Sequence, residues 1–242
     1  MIRYKKKILI FILALLSSNL LIGCTPNKTY QTAADSKYAY QEKDYNDSFQ
    51  NLSKLINVDK TELESKLTLK NGDDTLKLVP AMNTSKDLDF YKSLVVYGDE
   101  EYTKLYFQNK KMKNEQQAKN YYNSNMKDMW KKSPPNSLFF LVSLNNERVG
   151  IISTSTLTSS DEIMIGYITE QNEANKGIAT NALKTMVQLL KYMKDSNIYN
   201  YSKLSLLIFD ENAGSIKVAQ KNGFVLSEKN DDQQLSRYTL KL

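Results

Sequence analysis

Glu162-Ile163-Met164-Ile165-Gly166-Tyr167-Ile168-Thr169 and, shortly after it, Glu173-Ala174-Asn175-Lys176-Gly177-Ile178-Ala179-Thr180 decide how this chain is read. The first run reads as a strand, and the second joins the end of that strand to the start of a helix. Glycine lets a backbone approach a ligand closely, and the opening turn of a helix presents unpaired N–H groups to an anion. A phosphate or pyrophosphate can sit there without any basic side chain, with Lys176 at hand to help. A single glycine before a helix is also what a plain turn looks like, so the stretch needs its neighbours.

Downstream, Ile178, Leu183, Met186, Val187, Leu190 and Met193 recur at helical spacing, predicting a helix from about Gly177 to Lys194. Leu204–Phe209 reads as a strongly apolar strand, Ala213–Asn222 as another helix, and Phe224–Leu226 with Arg237–Leu240 as a closing strand pair. Upstream, Leu138–Leu144 and Val149–Thr156 flank the hairpin turn Asn145-Asn146-Glu147-Arg148, and Ser159-Ser160-Asp161 turns into Glu162–Thr169. Loops this short imply an antiparallel meander. Before it, Leu76, Leu78 and Val79 form a first strand stopped at Pro80, with helices over Asp87–Tyr97 and about Asn114–Trp130. The order β-α-α-β-β-β-α-β-α-β-β predicts an α+β fold, a mostly antiparallel central sheet flanked by helices, over residues 75–242.

Ahead of that domain, Phe49, Leu52, Leu55, Ile56, Leu63 and Leu67 have helical spacing, and Asp59 with Glu62 resembles a capping box. Residues 46–74 therefore read as a small helical segment, either packed on the main domain or serving as a docking hairpin. Residues 24–45 are polar, without a sustained apolar period, and read as a flexible tether. Arg3, Lys5, Lys6 and Lys7 precede the apolar run Ile8–Leu16. A basic start, an apolar stretch of about 7–15 residues and a small residue before the cut define a secretory signal peptide, here residues 1–23. Leu21-Ile22-Gly23-Cys24 resembles the lipobox of bacterial lipoproteins. That resemblance implies that Cys24 becomes the lipid-bearing amino terminus and anchors the chain to the cell membrane, outside the cytoplasm. Two or three acyl chains, at about 0.8 kcal/mol per buried CH₂, hold a protein there stably.

Composition narrows the chemistry. The chain has no histidine and one cysteine, which removes Ser-His-Asp and Cys-His constellations, histidine zinc sites and intrachain disulfides; no metal is expected. The net charge is +6, but removing the first 23 residues takes away four bases and no acid, leaving 29 against 27. Without a basic stripe, nucleic acid is not an expected partner.

A second motif completes the reading: Asp210-Glu211-Asn212-Ala213-Gly214-Ser215-Ile216-Lys217-Val218-Ala219-Gln220-Lys221-Asn222-Gly223-Phe224. With Gly177 and Ala179 upstream, Asn212, Ser215, Lys221, Gly223 and Phe224 make this chain resemble the GNAT superfamily of N-acetyltransferases over roughly Thr75–Leu242. The run Ile165-Gly166-Tyr167-Ile168 is similar to the strand of its ribosomal-protein branch. The resemblance implies acetyl-coenzyme A as acyl donor, with the loop residues Asn175, Lys176, Gly177, Ile178, Ala179 and Thr180 at its pyrophosphate. It further implies the backbone of Ile168 and Glu170 against the pantetheine arm, and an amine-bearing acceptor. Asn212 then hydrogen-bonds that arm, caps its helix, or does both. An amine must be neutral to attack a thioester, so a base or an ordered water must take its proton. Glu162 aligns best with the family glutamate that acts through water, against the alternative of an exposed charge at a strand start, and Glu170 is the second choice. Ser215 inherits the role of helping the thiolate leave. Ala174 stands where the family usually has Gln or Arg, and Ala219 where many members carry a tyrosine acid. Together with the export signal, those departures leave a second expectation open: a membrane-anchored binding lipoprotein that keeps the fold without acetyl transfer.

Overall fold

The computed structural model describes residues 37–107, 112, 114–154 and 161–242. The leader, Cys24 and most of the expected tether lie outside these residues, as do Ser155 to Ser160. Among the described residues no helix is long and apolar enough to cross a membrane.

The chain runs through α1 (Glu42–Ile56), α2 (Lys60–Lys66), β1 (Thr68–Asn71), β2 (Asp74–Pro80), α3 (Ser85–Val95), α4 (Glu100–Phe107) and α5 (Glu115–Trp130). It continues with β3 (Phe139–Leu144), β4 (Glu147–Thr154), β5 (Glu162–Thr169), α6 (Ile178–Asp195), β6 (Lys203–Phe209), α7 (Ala213–Lys221), β7 (Val225–Asn230) and β8 (Leu235–Lys241). The strands form one sheet of eight in the order β1-β2-β3-β4-β5-β6-β8-β7, antiparallel except for the β5–β6 pair. This is the α+β, mostly antiparallel architecture that the periodicities predict.

Three local differences have plain causes. Asn71-Gly72-Asp73-Asp74 turns a hairpin, because Gly72 takes φ 61° and β1 pairs directly with β2. A boundary at residue 75 therefore falls inside that hairpin, and the segment before it contributes a strand to the same sheet. At Asn145-Asn146 both residues have positive φ, the signature of a two-residue hairpin loop, so Glu147 and Arg148 belong to β4 and not to the turn. The helix α4 has no long apolar stripe in the sequence and is held by its packing, with Thr103 fully buried.

Helices cover both faces, which is why β3 and β4 are buried nearly throughout. Helix α6 presents Leu183, Met186, Leu190 and Met193 to the core and packs along β2, β4 and β5 and beside α7. On the other face Tyr122 of α5 meets Phe139 edge-on, and the Tyr45 hydroxyl of α1 bonds Ser143 at 2.8 Å. The first described residues are held from within. Arg148, 4% exposed, donates through Nε (3.1 Å) and Nη2 (2.7 Å) to Asp87 Oδ1, reaches the carbonyls of Tyr38 and Ala39, and stacks on the Tyr40 ring.

Candidate functional site

The site is built by a fork in the sheet. Strands β5 and β6 pair only through Glu162–Lys203, Ile163–Leu204 and Met164–Ser205. Beyond that point β5 stays with β4 as far as Thr169, β6 stays with β8 as far as Phe209, and the two separate. A groove of about 530 Å³ opens at the fork's mouth. Its walls are Tyr167 and Thr169 of β5, the turn before α6 with its first residues, and one face of α7. Tyr102 and Leu105 of α4 close it from outside, the Tyr102 hydroxyl donating to the Thr169 carbonyl at 3.0 Å.

The anion-binding end is the start of α6. Gly177 is its N-cap at φ 81°, no side chain caps the turn, and the first backbone bond runs from Asn181 N to Gly177 O. The amides of Ile178, Ala179 and Thr180 are thus left without helical acceptors. A Cβ on Gly177 would meet only Asn181 Nδ2, at 4.0 Å, so conformation and not space requires glycine here. Asn222 at the end of α7 donates to the Thr180 carbonyl at 3.1 Å, fixing the two helices across the groove.

Helix α7 supplies the facing wall. Asn212 is its N-cap, accepting from Ser215 N at 2.6 Å, and is buried, so the capping role holds. Ser215 is 7% exposed and lines the groove, with the Tyr167 hydroxyl 3.5 Å from its carbonyl. Gly214, Lys217, Val218 and Lys221 recur at helical spacing on the same wall. Lys221 carries part of the family resemblance and Lys217 does not, although this spacing marks both. Tyr102 carries no such signal, because only the fold brings α4 to the groove.

Among the predicted residues, Asn175, Gly177, Ile178, Ala179, Thr180, Asn212 and Ser215 come together in the groove. Lys176 turns outward onto Glu173 at 3.0 Å. The assignment of Ile168 and Glu170 is corrected by the pleat of the strand. Glu170 N donates to Val149 O across the β4 ladder, and with Thr169 opposite Gly150 the backbone groups of Ile168 also face β4. The main-chain edge open to the fork is therefore that of Tyr167 and Thr169.

Glu162 is not in the groove with Ser215. It stands at the foot of the fork, on the face of β5 opposite Tyr167. Arg237 Nη1 reaches its Oε1 at 2.8 Å and Lys203 Nζ its Oε2 at 3.4 Å. Burial alone would raise this carboxyl, but the Ser205 hydroxyl and these two cations hold it below its ordinary value.

Glu170 behaves oppositely. Burial first, then the neighbouring charges of Glu173 and Glu147, push it up to about 7. A carboxyl raised in the folded state contributes stability that is present at acid pH and lost as pH rises through that value. The melting temperature should therefore fall between about pH 5 and pH 8, by the equivalent of about 1 kcal/mol once solvent screening of this half-buried group is allowed for. Glu170→Gln should flatten that decline in a thermal melt followed by circular dichroism, and an unchanged slope would place the titration elsewhere.

Comparison with known proteins agrees with this geometry. Residues 76–225 match the family model described as acetyltransferase (GNAT) domain. A domain from Methanocaldococcus jannaschii DSM 2661 superposes with a TM-score of 0.55 at 20% identity, covering 70% of this chain and all of that one. A ribosomal L7/L12 alpha-N-protein acetyltransferase gives 0.56 at 13% identity, covering 72% and 94%. The aminoglycoside acetyltransferase AAC(6')-Ib, in complex with coenzyme A, gives 0.51 at 15% identity, covering 70% and 95%. At these identities the likeness is one of fold. No curated protein matches the chain by sequence.

Proposed function

Because this chain belongs to the GNAT acetyltransferase family, we propose that it transfers an acetyl group from acetyl-coenzyme A to an amine, from a position lipid-anchored outside the cytoplasmic membrane. The observation that carries the donor half is the fork opening onto the uncapped start of α6. The amides of Ile178 to Thr180 suit a pyrophosphate, and Lys217 and Lys221 add positive charge on the facing wall. The fork-side backbone edge of Tyr167, next to the Thr169 carbonyl that already accepts from Tyr102, suits an amide-bearing arm laid along it as an added strand would be. Ser215 then lies where a departing thiolate can be met. In this reading Glu162, on the opposite face at the foot of the fork, takes the amine's proton through water, so that attack and departure use opposite faces of the sheet.

The test is calorimetric titration of the full chain in detergent with acetyl-coenzyme A, followed by thiol release with primary amines, peptides and amino sugars. Saturable binding with release supports the proposal; no binding removes the donor. A second reading is favoured by Ala219, a buried methyl group on α7 where a phenol would serve as acid. Binding without release from any acceptor would make the protein a donor-binding module.

Gly177→Glu should weaken acetyl-coenzyme A by at least tenfold, since it strains a left-handed position and sets a carboxylate beside the phosphates. Retained affinity in a folded variant would remove the α6 start from the site. The membrane half rests on Arg3 to Lys7, the apolar run and Cys24. Mass spectrometry of the native protein should find Cys24 as a diacylglyceryl-modified amino terminus, and Cys24→Ala should leave a larger, unlipidated precursor. An intact Met1 with a free thiol would overturn it.

A further inference from the structure

Helix α4 stands at the outer side of the groove and is clasped to the end of β5. The Tyr102 hydroxyl donates to the Thr169 carbonyl at 3.0 Å and lies 3.2 Å from Thr169 Oγ1. Thr103 and Lys104, by contrast, spend their hydrogen bonds within the helix and its cap, on Asp99 O and Glu101 Oε1. The helix follows α3 closely, and a Cβ on Gly98 between them would lie 2.4 Å from the Leu94 carbonyl, so only glycine fits that joint. The Thr169 carbonyl has a particular direction. With Gly150 opposite Thr169 and Glu170 N on Val149 O, the N–H and C=O of Thr169 point away from β4 and into the fork. A ligand laid along β5 as an added strand would bond residues two apart, Tyr167 and then Thr169. A hydroxyl bonded to that carbonyl stands in the region the ligand's N–H must enter. Tyr102 is half-buried and lines the same groove.

We propose that Tyr102 is a latch that holds α4 over the groove and competes with the donor for the Thr169 edge. The proposal rests on the donor reading given above and adds a conformational step to it. The pantetheine arm of coenzyme A carries two amides. In the latched state the Tyr167 edge is open to one of them, and full seating of the arm exchanges the Tyr102–Thr169 bond for a bond to the second. Helix α4 then moves outward about its joint at Gly98, as hinged elements do at residues that absorb the backbone change. One hydrogen bond within the protein is set against one to the ligand, so the latch lowers donor affinity without blocking the site.

The experiment uses the full chain in detergent with acetyl-coenzyme A, read by calorimetric titration and by hydrogen exchange. Tyr102→Phe keeps the ring and removes the hydroxyl. It is expected to bind acetyl-coenzyme A about three- to tenfold more tightly than the wild type, the worth of about one net hydrogen bond. Hydrogen exchange in the wild type supplies a second readout with its own sign. Donor binding should protect the amides of Ile178 to Thr180 and speed exchange over Glu100–Phe107, and free Tyr102→Phe should already show the faster exchange in α4. Weaker or unchanged affinity in Tyr102→Phe would overturn the proposal, because Tyr102 would then be a wall of the site or a bystander. Protection of α4 on binding would overturn it as well. Absence of binding in both proteins overturns the donor reading and this proposal with it, whereas binding with the wrong sign in α4 overturns the latch alone.

Discussion

Glu162→Gln is expected to lower turnover by about 10²–10⁴-fold while acetyl-coenzyme A binds as before, the range general acid–base assistance supplies. The geometry behind the split is the placement of Glu162 on the far side of β5 from the groove. A donor seated against α6 and α7 does not touch it, so affinity has no reason to change. Because Arg237 and Lys203 hold Glu162 below its ordinary value, it is a carboxylate throughout the neutral range. The rise of activity with pH should then follow the acceptor amine and not this residue. The same cations make Glu162 a weaker base than a bare carboxylate, which favours action through water or a neighbouring hydroxyl. Loss of the Glu162–Arg237 pair is a side effect to separate, and since both groups are partly exposed it should cost about 1 kcal/mol or less. A stopped thiol-release assay beside a thermal melt distinguishes the two. Unchanged turnover would move the base to solvent.

Arg148→Met is expected to destabilise the fold by about 3–5 kcal/mol, the cost of leaving a buried charge without its partner. Asp87 is 2% exposed and takes two of its hydrogen bonds from Arg148, on Oδ1, while Met82 N donates to Oδ2 at 3.0 Å. Burial raises the Asp87 carboxyl even with the guanidinium beside it, so the environment is costly for the ionised form and the arginine only partly offsets that cost. Arg148 also holds the carbonyls of Tyr38 and Ala39 and the ring of Tyr40. Its loss should therefore free Tyr38 to Tyr40 as well as weaken the α3–β4 contact. Urea denaturation measures the first effect, and hydrogen exchange at Tyr38 to Tyr40 the second. Asp87→Leu combined with Arg148→Met should lose clearly less than the two single changes added together, because no lone charge is left. Strict additivity would mean that the pair is not coupled.

Much of this was legible in the residues themselves. The apolar spacing from Ile178 to Met193 marks α6 within a residue or two, and the apolar run Ile163–Ile168 after the Ser159-Ser160-Asp161 turn marks β5. Helix α6 packs on the face of the sheet and β5 lies in its middle, so local pattern and tertiary packing make the same demand of both. The two motifs, Asn175 to Thr180 and Asn212 to Phe224, mark the walls of the groove, because helix starts and their caps are encoded within a few residues.

What the sequence left open depends on contacts between residues far apart in the chain. β1 was hidden inside a helical pattern, since its strand character comes from pairing with β2 and not from its own four residues. Which edge of β5 faces the fork turned on one register, Gly150 with Thr169, and a shift of one residue would have exposed the other edge. That Glu162 is held by Arg237, 75 positions later, and that Ser205 is buried beside them, follows from the order of strands β5, β6 and β8. A carboxylate can be read from the sequence, but the cations and hydroxyls that set its charge reach it through space, and only the folded sheet decides which they are.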